Sequence, residues 1–372
     1  MSTFARTDTS LLSRWWWTVD HWTLGALLIL IGLGLVLTMA ASTAVATDKG
    51  LDAFYFAQRQ FIYLPAALGV LLATSLLSPT GVRRVAAIVF VIGLALTAMT
   101  LLTGVEVKGA TRWVRLGGVS LQPSEMLKVA YAVVSAWMVA ESRARDRSWG
   151  YYASAATMLA VAGVLVLQPD IGTTVLIAGV WSIQVFLAGL PLALVFIVVL
   201  LFAGGAVGVY FTFDHVRYRV DHFFDPTTGD GFQISRALDA FKSGGLLGRG
   251  PGEGQVKDYL PDAHADFIFA VAGEEFGLAF CLLLVLIFAF VVIRGFSRAL
   301  KAEDIFVVLA AAGLLALFGM QALMNIASST HLIPPKGITL PFISYGGSST
   351  LAMAWAMGMV LALTRERREG RV

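Results

Sequence analysis

Charge is what this sequence lacks most. Asp, Glu, Lys and Arg make up 14% of its 372 residues, against roughly a quarter in an ordinary soluble domain. So thin a supply excludes the two or three water-soluble domains that length alone would suggest. The single cysteine, Cys281, sits in an apolar run and rules out a disulfide framework. Five histidines, His21, His215, His222, His264 and His331, show no spacing of the HExxH kind, which removes the common zinc motifs. No basic stripe interleaved with aromatics is present, so nucleic acid is not an expected partner. Gly248, Gly250, Gly252 and Gly254 alternate, but no strand precedes them and no helix follows closely, which argues against a dinucleotide or phosphate loop.

What the chain has instead is apolar length. Hydrophobic residues make up 58% of it, and a bilayer core needs about 20 in a row to be crossed by a helix. Such runs fall at 22–41, 61–78, 85–104, 124–141, 151–168, 171–189, 191–212, 266–293, 304–326 and 345–364. The expected fold class is therefore an all-α polytopic integral membrane protein. It would be a single membrane domain over 1–372, with about ten transmembrane helices and a long loop at 213–265 between spans seven and eight. Arg6, Arg14, Arg83, Arg84, Arg143, Arg145, Arg147, Arg294, Arg298, Lys301 and the arginines from Arg365 to Arg371 all fall on one side of that arrangement. The other side holds only Lys49, Arg59, Lys108, Arg112, Arg115 and Lys336 in its short connections. The positive-inside rule then places the tails at 1–20 and 365–372 in the cytoplasm and the long loop outside. Trp15, Trp16 and Trp17 read as an interfacial belt. Ala44-Val45-Ala46 has the look of a signal-peptidase site, but the apolar stretch before it is too long for a signal peptide, so the first span is expected to stay. Helical spacing between Gln233 and Lys242, with Ala237, Leu238 and Phe241 on one side, folds part of the loop onto the membrane surface.

Ionisable groups within spans cost about 2.5–3.5 kcal/mol each at a helix centre, so each needs a reason. Glu125 and Lys128, early in span four, are three residues apart and share a helix face. They are either a mutually neutralised packing key or the lining of a cavity for a charged headgroup. Arg112 and Arg115 lie just upstream and suit either lipid phosphates or a phosphate-bearing ligand. Asp266 is expected in the first turn of span eight, where the positive helix end would keep it ionised. Glu274 and Glu275, deeper in that span, are expected to hydrogen-bond neighbouring helices. Gly204 and Gly208 read as a close-packing pair.

Several segments together resemble one family. Lys108-Gly-Ala-Thr-Arg-Trp113 with Gln122-Pro-Ser-Glu125, Gln168-Pro-Asp-Ile-Gly-Thr173, Leu260-Pro-Asp-Ala-His-Ala-Asp-Phe-Ile-Phe-Ala270 with Glu274-Glu-Phe-Gly277, and Pro341-Phe-Ile-Ser-Tyr-Gly-Gly-Ser-Ser349 are similar to motifs of the SEDS (shape, elongation, division and sporulation) proteins. Lys336-Gly-Ile-Thr-Leu-Pro341 and the run from Arg217 to Gln233 resemble the division branch; the elongation branch usually has proline at the position of Thr339. Ala265 departs from the threonine common in the family. The resemblance implies an inverting peptidoglycan glycosyltransferase that polymerises lipid II, an undecaprenyl-pyrophosphate disaccharide-pentapeptide, and releases undecaprenyl pyrophosphate. It implies Asp266 as the catalytic carboxylate, acting as a base or through a divalent cation (Mg or Mn), with no organic cofactor. Glu125, Lys128, Arg112, Arg115, Gln122, Ser124 and His264 would bind substrate; Glu274, Glu275, Ser344 and Tyr345 would support the site. Implied partners are a class B penicillin-binding transpeptidase and divisome activator proteins, at the septal part of the bacterial inner membrane. A lipid II flippase and an elongation-type polymerase are the alternative readings.

Overall fold

The structure is a computed structural model, and it describes residues 10–48, 50–52, 54–107, 110–116, 119–145, 148–190, 192–212, 217, 229–260, 262–334 and 337–366. Lys108, Lys336 and most of the stretch from 213 to 228 lie outside the described residues. Among the described residues a short α1 (Leu11–Thr18) precedes α2 (His21–Asp48), α3 (Tyr55–Ser75) and α4 (Pro79–Thr103). Then come α5 (Pro123–Ala144), α6 (Trp149–Leu167), α7 (Ile171–Leu187) and α8 (Leu192–Thr212). The chain closes with α9 (Gly229–Gly244), α10 (Ile268–Ala299), α11 (Ile305–Ser329) and α12 (Gly347–Leu363). Helices thus stand at each expected span. Six of them, α2, α3, α4, α6, α10 and α11, are long and apolar enough to cross a membrane by themselves, and α7 and α12 are shorter apolar helices. The chain is a polytopic helical membrane protein.

Local chemistry starts several of these helices. Ser78 caps α4 through Gly81 N–H, with Pro79 at the first position. Asp170 caps α7 through Thr173 N–H, and Asp304 caps α11 through Phe306 N–H. One departure from the all-α expectation stands between α4 and α5. There β1 (Val105–Val107), β2 (Ala110–Leu116) and β3 (Val119–Leu121) form an antiparallel meander in that order. Val105 faces Trp113 and Arg115 faces Ser120. The β-branched and aromatic run Thr111-Arg-Trp-Val favours strand, but at this length it reads in the sequence as an ordinary connector.

The centre of the bundle is α5, α11 and α12, buried on nearly every side. With no water at that depth, polar groups must be answered inside the protein. Gln184 of α7, fully buried, donates from Nε2 to the carbonyls of Ala132 in α5 (2.6 Å) and Leu309 in α11 (3.2 Å). Trp181 donates to Ser154 Oγ (3.1 Å), tying α7 to α6.

The two ends differ. At one, Arg294 donates to both oxygens of Asp20 at 2.7 Å, and Arg298 donates to Thr364 O. Trp15 Nε1 donates to Ser75 Oγ and Glu366 N to Thr18 O, so both chain tails gather here with most of the arginines. Burial alone would raise the Asp20 carboxyl, but hydrogen bonds from Arg294 and Thr23 and the nearby Arg298 outweigh it and hold its pKa below the usual carboxylate value. A carboxylate with a lowered folded pKa adds stability that is present above its unfolded pKa and lost as pH falls through the folded one. The melting midpoint of Asp20→Asn is therefore expected to lie below wild type near neutral pH, the gap closing as pH drops below about 4. A gap that stays constant would contradict this role for the latch.

At the other end α10 is broken. Gly277 has φ 79° and ψ 179° inside the helix, and the break is filled by the chain itself. Arg249 and Gly250 N–H donate to the carbonyls of Glu274 and Glu275, while Leu278 and Ala279 N–H donate to Gly245 and Leu246 O, all at 3.0–3.2 Å. A Cβ on Gly248 would lie 2.1 Å from Glu275 O, and one on Gly244 would lie 2.0 Å from Gly273 O. Gly244 and Gly248 therefore let one backbone dock into another. α9 packs along the same face of α10 through Ile234, Ala237 and Ala240, so the expected surface helix exists but its buried stripe meets protein.

Candidate active site

The site is assembled from the start of α5, one face of α11 and two pinned loops. Pro123 opens α5, and Gln122 N–H, just before it, donates to Ser348 Oγ of α12 (3.1 Å). That anchors the turn carrying Glu125. Lys128 is 2% exposed, and its Nζ lies 2.8 Å from each Glu125 oxygen. The same ammonium donates to Gln321 Oε1 of α11 (2.8 Å). Gln321 Nε2 in turn donates to Thr339 O (3.0 Å), Thr339 Oγ1 and Ser349 Oγ (both 3.2 Å). One turn further along α11, Asn325 Nδ2 donates to Ile338 O (2.7 Å) and to the backbone carbonyl of Asp266 (3.0 Å). An unbroken polar path thus joins the Glu125–Lys128 pair to the segment holding Asp266.

Asp266 itself lies in the turn at 262–267, since α10 begins at Ile268 with Phe267 as its N-cap. The first-turn position expected from sequence is corrected by two residues. Its N–H donates to Asp262 O (3.1 Å), and its side chain is part-exposed. Gly337, whose φ of +66° favours glycine, lies beside the carboxylate: a Cβ there would be in ordinary contact with Asp266 Oδ2, at 4.0 Å. The neighbouring loop at 340–345 holds this turn. Ser344 Oγ donates to Ala265 O (2.6 Å) and accepts from Leu340 N–H, and Tyr345 N–H donates to His264 O (2.9 Å). Ser344 and Tyr345 thus hold the backbone of this turn.

The profile of the FtsW/RodA/SpoVE cell cycle proteins matches residues 21–369. The chain belongs to this family. A probable peptidoglycan glycosyltransferase FtsW from Caulobacter vibrioides is 45% identical over 98% of this chain and 94% of its own length. Stage V sporulation protein E from Bacillus subtilis is 33% identical over 92% and 95%. Among solved structures, a chain of a peptidoglycan synthase complex that coordinates polymerization and crosslinking superposes with TM-score 0.77 at 26% identity, covering 93% of this chain and 97% of that one. Rod shape determining protein RodA from Thermus thermophilus gives 0.69 at 26% identity, covering 94% and 97%.

Other positions singled out in this FtsW/RodA/SpoVE chain make contacts of their own. Arg112 directs its guanidinium at the Gln168-Pro-Asp turn: Nε donates to Gln168 O (3.1 Å), a terminal nitrogen to Pro169 O, and the other lies 3.6 Å from Asp170 Oδ1. Those contacts staple β2 to the start of α7. Arg115 sits in β2 with its backbone paired; its side chain lies outside the described residues. Gln122 Nε2 donates to the buried Ser124 Oγ (3.2 Å). His264, 5% exposed, stacks on Phe56 at 4.2 Å and lies 5.4 Å from the Tyr345 ring.

Glu274 and Glu275 bond mainly to the loop before α10, and Glu274 also accepts from Ser243 Oγ of α9 (3.4 Å). Glu274 accepts the N–H groups of Gln255, Val256 and Lys257 at 2.8–2.9 Å. It thereby caps the 3-10 turn at Val256–Tyr259 as an anion caps a helix start. Lys257, which sequence reading passed over, is 4% exposed; it donates to the Glu275 carboxylate and to Ala40 O of α2 (3.0 Å). Lys257→Met leaves the Glu275 carboxylate buried without its cation. A loss of about 3–5 kcal/mol is expected, read as a lowered unfolding midpoint in detergent; an unchanged midpoint would show that the pair holds nothing.

Gln321 and Asn325 were also missed. Their signal was available: two amides four residues apart in an apolar span share one face, and a polar group there needs a partner.

Proposed function

We propose that the protein is a peptidoglycan glycosyltransferase that polymerises lipid II into glycan strands at the outer face of the bacterial cytoplasmic membrane during division. The observation that carries this reading is the placement of Asp266. It is a part-exposed carboxylate on a loop fixed by Ser344, Tyr345 and Asn325, at the bundle end opposite the arginine-rich one. With the arginines in the cytoplasm, as the positive-inside rule orients them, that carboxylate faces the outer leaflet.

The chemistry asks for little more. The 4-hydroxyl of one lipid II attacks the anomeric carbon of the growing strand, a new C–O bond forms, and the bond to undecaprenyl pyrophosphate breaks with inversion. Asp266 takes the hydroxyl proton; a positioned base is worth about 10²–10⁴ in rate. The leaving pyrophosphate carries its charge away without needing an acid and is stabilised by cations. Lys128, positioned by Glu125 and Gln321, is the cation on the path described above. Asp266 together with pyrophosphate oxygens also suits a Mg or Mn ion, because such ions seldom use all-protein cages; the ion would neutralise developing phosphate charge. The proton step belongs to the carboxylate alone.

Transport of the same lipid is the competing account, and broken helices are common in transporters. Here the break at Gly277 is closed by the chain's own backbone, which favours a fixed scaffold. The similarity to a chain of a complex coordinating polymerization and crosslinking supports a class B transpeptidase as partner, with divisome activators and septal localisation following from the FtsW likeness. Purified protein given lipid II, with and without that transpeptidase, is expected to yield glycan strands. Translocation of labelled lipid II across vesicles with no strands formed would reverse the choice.

A further inference from the structure

We propose that Asn325 is a positioning residue for Asp266, setting where the carboxylate points. This rests on Asp266 being the base. Among the hydrogen bonds that hold the turn that carries it, four bear on where Asp266 sits. Three act on its flanks or its N–H: Asp266 N to Asp262 O, Ser344 Oγ to Ala265 O, and Tyr345 N to His264 O. The fourth, from Asn325 Nδ2, grips the carbonyl of Asp266 itself.

That amide nitrogen has two hydrogens, and both are engaged by carbonyls, the second being Ile338 O at 2.7 Å. An amide is the side chain of this size that supplies two donors from one atom. Serine supplies one, and an ionised aspartate none. Asn325 is fully buried in an apolar helix, where an amide is costly unless bonded. Its chemistry therefore matches the task of clamping two strands of backbone together.

The clamp also has a register. Gln321, one turn away on α11, holds Lys128 and Thr339. Residues four apart on a helix are separated by about 6 Å along its axis, and the helix does not stretch. Lys128 and the Asp266 turn are thus fixed relative to one another by a single turn of α11. Loss of Asn325 frees one end of that arrangement. Lys128 and the carboxylate's chemical identity stay in place, so turnover is affected and substrate capture is not.

The test compares kcat and KM for lipid II, per folded protein, in wild type, Asn325→Ala and Asn325→Asp across pH, with Asp266→Asn beside them. Asn325→Ala is expected to lower kcat by about 10–100-fold, the scale of a misplaced catalytic group, with KM changed less than about threefold. Asn325→Asp has the shape of Asn, but only its protonated form donates. Its kcat relative to wild type is expected to rise as pH falls, whereas the alanine ratio stays flat. Taking ratios at each pH separates this effect from the pH dependence of the wild-type reaction. A merely structural role would lower the yield of folded protein and leave kcat per folded molecule alone, and a pH-independent aspartate ratio with wild-type kcat overturns the proposal. Should the alanine variant fail to fold, the aspartate variant carries the test. Full activity of Asp266→Asn would remove the base assignment itself; a dead Asp266→Asn with wild-type Asn325 variants would remove only the positioning role.

Discussion

Asp266→Asn is expected to reduce glycan-strand synthesis from lipid II by about 10²–10⁴-fold, the contribution of a positioned base. Asparagine keeps the size of the side chain but cannot take a proton at neutral pH. The substitution leaves the backbone contacts of the turn in place, since Asn325, Ser344 and Tyr345 bind carbonyls and not the carboxylate. Folding is therefore expected to be normal by size-exclusion chromatography and thermal melting. Asp266→Glu should retain partial activity, because it moves the same group by one methylene. The chemistry is thus separable from the fold at this position. Strand synthesis by Asp266→Asn at wild-type rate would remove the carboxylate from the reaction.

The second large effect is expected at the buried pair. Glu125→Ala leaves the Lys128 ammonium, 2% exposed, beside only a neutral amide. Breaking one side of such a pair costs about 3–5 kcal/mol, so both a lower unfolding midpoint and a loss of activity are expected. Lys128→Ala does the same from the other side. The double change Glu125→Leu with Lys128→Met separates the two consequences. Replacing a buried ion pair with apolar residues of similar volume is often neutral or stabilising, so stability should return toward wild type while activity does not. Recovery of both would make the pair a packing key and leave the leaving group without this cation.

The helices at the apolar runs and the end at which Asp266 sits were legible because both follow from one-dimensional signals: apolar run length and the placement of arginine. Glu125 and Lys128 were legible too, since a charge in a span demands a partner and three residues is the right interval. The fate of Arg112 was not. Its partners, Gln168, Pro169 and Asp170, are more than 50 residues away, and a cation near a membrane edge looks the same in sequence whether it holds a phosphate or a backbone turn. Glu274 and Glu275 misled for a related reason. Their main partners are N–H groups and a lysine of the loop before α10, which docks at the break at Gly277 through residues 245–250. The glycine tract could be excluded as a phosphate loop but not explained, because close backbone docking depends on where the facing strand of chain lies. Thr339 gained meaning only in three dimensions: its hydroxyl lies 2.6 Å from Ser349 Oγ and bonds Gln321, contacts that proline at this position would abolish.

The account stands on an outward-facing carboxylate within reach of lipid II. Asp266→Cys, labelled in intact spheroplasts with a membrane-impermeant maleimide, probes that directly, because the only native thiol, Cys281, is buried. Labelling from the outer side, slowed by added lipid II, is the predicted result. Labelling only after the cytoplasmic face is exposed, or at a rate indifferent to lipid II, would contradict it.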